Sequence, residues 1–199
     1  MVKQRYYDYV NSKFDAEPGS IKAIRLKYGI EMFYLSFSKL IAVLVISFLL
    51  GIFLETIITL ASYNFIRQKS QGLHAKSSLK CLISSTTFFV ILPWLVVHVD
   101  IYPYISIVAA WAIPVIAYLY APSDTHKKPI VQKKVREKLK KDAIIRSFIV
   151  VGLTLIVPDP TVKFLLVMGA FIALLYILPI TYKIMKEERN NYEKFERNT

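Results

Sequence analysis

Six stretches of the chain, 40–54, 56–66, 82–97, 104–120, 147–157 and 164–182, contain no Asp, Glu, Lys or Arg. The charges gather between them. A chain that threads a bilayer and leaves its charged connections in water shows this alternation. LISSTTFFVILPWLVV (82–97) and YISIVAAWAIPVIAYLY (104–120) read as two membrane helices joined by the short turn HVDIYP. Residues 144–157 and 164–182 form a second pair around PDPT. A helix of about 17 residues, rising ~1.5 Å per residue, just covers a hydrocarbon layer about 30 Å thick. Pro93, Pro114 and Pro179 predict kinks of the kind membrane helices tolerate. Trp94, Trp111 and many tyrosines suit the interface.

The stretch 40–66 admits two readings. As one helix it would be about 40 Å long, with Glu55 near its middle. As a hairpin it breaks near Gly51–Glu55. Topology favours the hairpin. The connection 67–80 carries Arg67, Lys69, Lys76 and Lys80. The connection 121–143 carries Lys127, Lys128, Lys133, Lys134, Arg136, Lys138, Lys140 and Lys141. The connection 98–103 has no Lys or Arg, and 158–163 has one lysine. Basic connections stay in the cytoplasm. The basic N-terminal arm prefers the same side, so an even number of crossings separates it from 67–80. The predicted fold is an all-α integral membrane protein with about six transmembrane helices and both termini cytoplasmic. Residues 1–199 are expected to form one membrane domain. Within it, 1–36 is an N-terminal arm, 37–182 the transmembrane bundle and 183–199 a cytoplasmic tail. Ser20 caps a predicted helix from Ile21 to about Ser36, where Ile21, Ile24, Tyr28 and Met32 alternate with Lys22, Arg25 and Lys27. That helix lies on the membrane surface or packs on the protein's own loops.

Composition agrees. The chain is 55% hydrophobic, where soluble domains sit at roughly 45–50%, and its mean hydropathy is +0.43. Net charge is +12. Such basicity alone would admit a nucleic-acid protein, but topology already accounts for the basic residues, so no nucleic-acid partner is expected. The opening MVKQRYYDYVNSKFDAEPGS lacks the apolar core of a cleavable signal. A single cysteine excludes an intramolecular disulfide. No Gly-rich phosphate loop, HExxH or paired CxxC occurs, so neither a cofactor nor a metal is expected.

The chemistry-bearing residues converge on QGLHAKSSLKC, residues 71–81, which holds His74 and Cys81. A cytoplasmic connection keeps the thiol reduced. On one straight helix the two side chains would stand about 10 Å apart, so a Cys–His pair requires a bend. Gly72 and the Ser77–Ser78 pair supply punctuation. If Ser77 or Ser78 caps the next membrane helix, Cys81 falls in its first turn. There the helix dipole, Lys76 and Lys80 suit a thiolate nucleophile, with His74 as general base and later general acid. Spacing alone leaves the ordinary alternatives open: a small apolar residue at a helix start, and a solvated imidazole.

FIRQKSQGLHAKSSLKC, residues 65–81, resembles the signature of the accessory gene regulator B (AgrB) family of membrane peptidases. In it an arginine precedes Gly-x-His-Ala, and a cysteine follows the histidine by seven. Arg67, Gly72, His74, Ala75 and Cys81 match. YAPSDTHKKPI, residues 120–130, resembles a second element of that family, Tyr-Ala-Pro followed by Lys-Lys-Pro-Ile. With the hydropathy layout, the similarity covers nearly the whole chain. Gln71 departs from the pattern, since many members have a second glycine there.

The resemblance implies a cysteine endopeptidase of Gram-positive quorum sensing, at the cytoplasmic face of the plasma membrane. It implies an AgrD-like precursor of a cyclic autoinducing peptide as partner, cleaved through a peptidyl thioester on Cys81 and closed to a thiolactone or lactone. Backbone amides near Ser78, or Arg67, are candidate oxyanion donors; Arg67 reads equally as a boundary anchor. Gly72, Ser77 and Ser78 are supporting candidates. Lys127, Lys128, Lys133 and Lys134 would guide an acidic precursor tail, or would only enforce topology and bind anionic membrane lipids. His98 and His126 read as structural or solvated. No acid near His74 offers a third catalytic member. A homodimer is compatible with an enzyme that encloses a peptide. From other classes, a small peptide exporter, with Ser84, Ser85, Thr86 and Thr87 lining a path, and a non-catalytic membrane scaffold are the alternatives.

Overall fold

A computed structural model describes residues 37–73, 78–99, 103–125 and 129–193. The N-terminal arm and the amphipathic helix expected at 21–36 lie outside the described residues. The chain divides into two compact units, Met1–Val45 and Ile46–Thr199.

Among the described residues regular structure is helical. Helix α1 covers Phe37–Leu49 and α2 covers Phe53–Ser70. Helix α3 (Ser78–Thr86) runs through a π-helical turn (Thr87–Ile91) into α4 (Leu92–His98). Helices α5 (Pro103–Tyr120), α6 (Lys133–Ile156), α7 (Pro160–Leu175) and α8 (Pro179–Met185) follow. By length and apolarity, Cys81–His98 can cross a bilayer as one helix. Helices α7 and α8 form a broken span bent by 56°, and Phe37–Leu49 and Tyr104–Tyr120 are apolar but shorter.

The break expected near Gly51–Glu55 falls at Gly51. Its φ of +71° is one that glycine adopts without penalty. The Gly51 amide donates to Phe48 O at 3.1 Å, and the Ile52 amide to Ser47 O at 3.0 Å. These two reversed bonds close a helix C-terminus in the Schellman manner. At the other predicted turn, Asp159 accepts from the Val162 amide at 2.9 Å. With Pro160 as first helical residue, this is a capped start for α7.

The second unit is built on α2, α5, α6 and α7. Its core joins Ile66, Ile113, Val150 and Leu174 with small residues such as Ala110, Ala117, Ala143 and Ala170. Helix α2 is apolar outside and hydroxylic inside. Thr56, Thr59, Ser62 and Ser70 are buried, while Leu54 is 70% exposed. Ser62 Oγ donates to Leu166 O on α7 at 2.5 Å. A Cβ on Gly169 would collide with Thr59 O and meet Ser62 Cβ at 2.9 Å, so glycine lets the two backbones approach. Exposed apolar residues around a core partly held by hydroxyls suit a lipid solvent.

Pro93 expresses itself as the π turn rather than as a sharp kink. The carbonyl it leaves without an amide partner belongs to Phe89, four residues earlier. Thr56 Oγ1 fills that place at 2.9 Å. Helix α6 begins eleven residues earlier than the span read from residue 144. At 24 residues it is about 36 Å long, so half of the predicted basic loop is a cationic helical extension.

Candidate functional site

The turn leaving α2 is held from three sides. Gln71 (φ 54°, ψ −139°) and Gly72 (φ 104°) reverse the chain. Arg67, one turn earlier, donates Nη1 to Gln71 O and Nη2 to Leu73 O. Its guanidinium also lies 5.2 Å from the centre of the Tyr176 ring. The Leu73 amide donates to Tyr176 O at 3.0 Å, and the Ser123 amide to Ser70 O at 3.1 Å. A Cβ on Gly72 would stand 2.5 Å from Tyr176 O and 2.7 Å from Arg67 Nη1. Only glycine fits. Arg67, read from the sequence as an oxyanion donor or a boundary anchor, makes these bonds to the chain's own carbonyls.

The bend expected between His74 and Cys81 falls largely on residues 74–77, outside the described residues; helix α3 begins at Ser78 and puts Cys81 in its first turn. The thiol is free and half-buried. Tyr63 and Tyr176 lie within electrostatic reach of Cys81, and Tyr176 also hydrogen-bonds the Ser84 side chain. The Tyr63 ring meets Phe89 edge-on at 4.9 Å, and Tyr176 meets Phe88 at 6.3 Å. These ring pairs tie Tyr63 and Tyr176 to the π turn that continues α3. His74, Ser77, Lys127 and Lys128 lie outside the described residues, as does His126. Lys133 and Lys134 open α6 and are exposed. His98 caps its own turn through Trp94 O at 2.8 Å and stacks on Trp94, a structural role.

Two cations beside the bend tie α2 to α6. Arg146 Nη1 donates to Phe65 O at 2.6 Å. Lys69 Nζ stands 2.8 Å from Asp142 Oδ2. The hydrogen bond from Lys69 is the main cause that holds the Asp142 carboxyl below its ordinary range.

Sequence reasoning missed Asp124. It is 3% exposed, and its carboxylate accepts from the Asn191 amide at 2.9 Å and the Tyr192 amide at 3.0 Å. Its carbonyl accepts from the Tyr182 hydroxyl at 2.6 Å. Residues 189–192, within the expected cytoplasmic tail, return to the turn after α5. Arg189 Nη2 donates to Tyr120 O at 3.1 Å, and Arg136 packs 3.9 Å from the centre of the Tyr192 ring. One signal was present: Asp124 is the only acid between Tyr120 and Arg136.

Comparison with known proteins agrees with the ordered motifs. The model of the family described as accessory gene regulator B matches residues 4–182. An AgrB-like protein of Clostridium acetobutylicum is 36% identical over 177 residues, 89% of this chain and 85% of the relative. One from Listeria innocua is 34% identical over 198 residues, 98% of this chain and 96% of the relative. The accessory gene regulator protein B of Staphylococcus lugdunensis is 35% identical over 168 residues, covering 84% and 87%. No solved structure matches. The chain belongs to the accessory gene regulator B family and is a membrane protein of agr quorum sensing.

Proposed function

We propose that this chain is a membrane cysteine endopeptidase that cuts and cyclises the precursor of an autoinducing peptide. His74 takes the Cys81 proton as the sulfur attacks a precursor carbonyl. The scissile C–N bond breaks, and the same proton goes to the departing amine of the C-terminal fragment. The retained part is held as a thioester on Cys81. A cysteine or serine within the precursor attacks that thioester, a thiolactone or lactone closes, and its proton returns to the Cys81 sulfur. One thioester replaces another when the ring is a thiolactone, so no ATP is needed. The fragments' departure draws the sequence forward. Water competes for the thioester, and the half-buried position of Cys81 limits its approach.

The observation that carries the reading is a half-buried free thiol in the first turn of α3. It stands one short connection beyond a bend that Arg67 and Tyr176 hold rigidly. Such rigidity suits a group that must be aimed. In this reading the chain crosses the membrane about six times, with both termini and the site on the cytoplasmic side. Lys127, Lys128, Lys133 and Lys134 draw in the acidic tail of the precursor.

The test co-expresses the chain with a neighbouring short reading frame that encodes an amphipathic leader, a central Cys or Ser and an acidic tail. Wild type is expected to cut the peptide and show an acyl adduct on Cys81 by mass spectrometry. Cys81→Ala and His74→Ala are expected to reach the membrane and leave the peptide whole. Normal cutting by Cys81→Ala would favour an exporter or scaffold served by another protease.

A further inference from the structure

We propose that Asp124 is a positioning residue. Its carboxylate fastens residues 189–192 over the turn after α5, and that turn in turn holds the bend leading to Cys81. The functional part of the claim rests on the reading of Cys81 given above; the mechanical part does not.

The connections run in one direction through named bonds. The buried carboxylate takes the amides of Asn191 and Tyr192, one on each oxygen. Hydrogen bonds to a charged, buried group are the strong kind. The next residue towards the site is Ser123, which is fully buried. Its Oγ donates to Tyr120 O at 2.9 Å and contacts Ile177 O at 3.3 Å. Its amide holds Ser70 O at 3.1 Å, and Gln71 pairs with it in a single parallel bridge. From there the bend passes to Leu73, whose amide rests on Tyr176 O. The Tyr176 ring in turn meets Phe88, on the π turn that continues the Cys81 helix, at 6.3 Å.

The C-terminal segment has other holds on the same turn, Arg189 on Tyr120 O and Tyr182 on Asp124 O. The carboxylate, however, gathers two main-chain amides from beyond α8. Asp124 itself does not touch the thiol. Its effect on chemistry is therefore an effect on aim: the rate of acylation once precursor is bound, and not the affinity for precursor.

The experiment uses full-length protein in lipid nanodiscs as wild type, Asp124→Ala and Asp124→Asn. Amide hydrogen exchange is read first, and then single-turnover cleavage of the precursor encoded beside the gene. In Asp124→Ala, exchange of Asn191 and Tyr192 is expected to rise. Exchange of Leu73 and Ser123 is expected to rise with it, by about fivefold or more, while Val150 and Val151 in α6 keep their wild-type rates. Acylation at saturating precursor is expected to fall about tenfold, with KM within about twofold of wild type. Asp124→Asn matches the size of the carboxylate and keeps one acceptor oxygen. It is expected to fall between the two, and it stands as the test if the alanine variant does not fold. The proposal is overturned if only Asn191 and Tyr192 loosen, or if acylation keeps its wild-type rate while they do. Coupled exchange in a protein whose wild type forms no thioester would support the latch and sink the assignment of Cys81.

Discussion

Thr56 and Phe89 are joined by a hydrogen bond across 33 residues, from the threonine hydroxyl to the phenylalanine carbonyl at 2.9 Å. Phe89 stands four residues before Pro93, which has no amide to offer that oxygen. A helix that carries proline through a bilayer is stabilised by a donor from its neighbour. Thr56→Val keeps the shape and removes the donor. We expect a loss of about 1–2 kcal/mol, read as a lower melting temperature in nanodiscs, with Thr56→Ser near wild type. An unchanged melting temperature for Thr56→Val would refute this.

The approach of α2 to α7 depends on Gly169. Gly169→Ala pushes a methyl group into Thr59 O and Ser62 Cβ and is expected to cost about 1–3 kcal/mol. Gly152 on α6 has nothing within 4 Å of the added carbon. Gly152→Ala is therefore expected to be neutral or stabilising by up to about 1 kcal/mol. Equal melting temperatures for the two variants would contradict the close contact.

Gly72 and Gln71 share one bend and are expected to respond in opposite senses. Gly72→Ala meets Tyr176 O and Arg67 Nη1 at a backbone angle that alanine resists. Cleavage is expected to drop by about tenfold or more, with the protein still in the membrane. Gln71 already sits at a φ of 54°, an angle that costs a non-glycine residue about 1–3 kcal/mol. Gln71→Gly is expected to raise stability by about 1 kcal/mol, after the larger entropy of the unfolded glycine is subtracted. A destabilised Gln71→Gly would show that the side chain's bond to Gln68 O at 2.8 Å outweighs the strain.

Lys69 lowers the Asp142 pKa. A carboxyl depressed in the folded state adds stability that is present above its unfolded value, near 3.8, and is lost as pH falls through the folded value. The melting-temperature difference between wild type and Asp142→Asn is expected to be constant from neutral pH to about 5 and to close below about 4. Added salt is expected to narrow it at neutral pH, because the pair is partly exposed. A difference that persists at pH 2 would assign it to packing.

How much was legible beforehand differs by residue. The helical class, the break at Gly51 and the capped turn at Asp159 follow from local chemistry, since charge-free stretches, glycine and Asp-Pro act over a few residues. The first-turn placement of Cys81 was legible for the same reason, because serines next to an apolar stretch start helices. The clamp by Arg67 was not, because its acceptors are main-chain carbonyls that exist only once Gln71 and Gly72 have turned. Asp124 was missed because its partners lie 67 and 68 residues away and are amides, which leave no trace in residue type. The cationic beginning of α6 was read as loop because charge sets where a helix meets water, not where it starts.

Helix α2 grips its neighbours through Thr56, Ser62 and the bare backbone at Gly169. If the seam lies in the bilayer, as proposed, such contacts derive their strength from dipoles and dispersion, not from expelling water. Refrigeration, which weakens the cohesion of aqueous globules as their solvent becomes a better host for oil, has little purchase on this seam. Chilled preparations are expected to keep it shut.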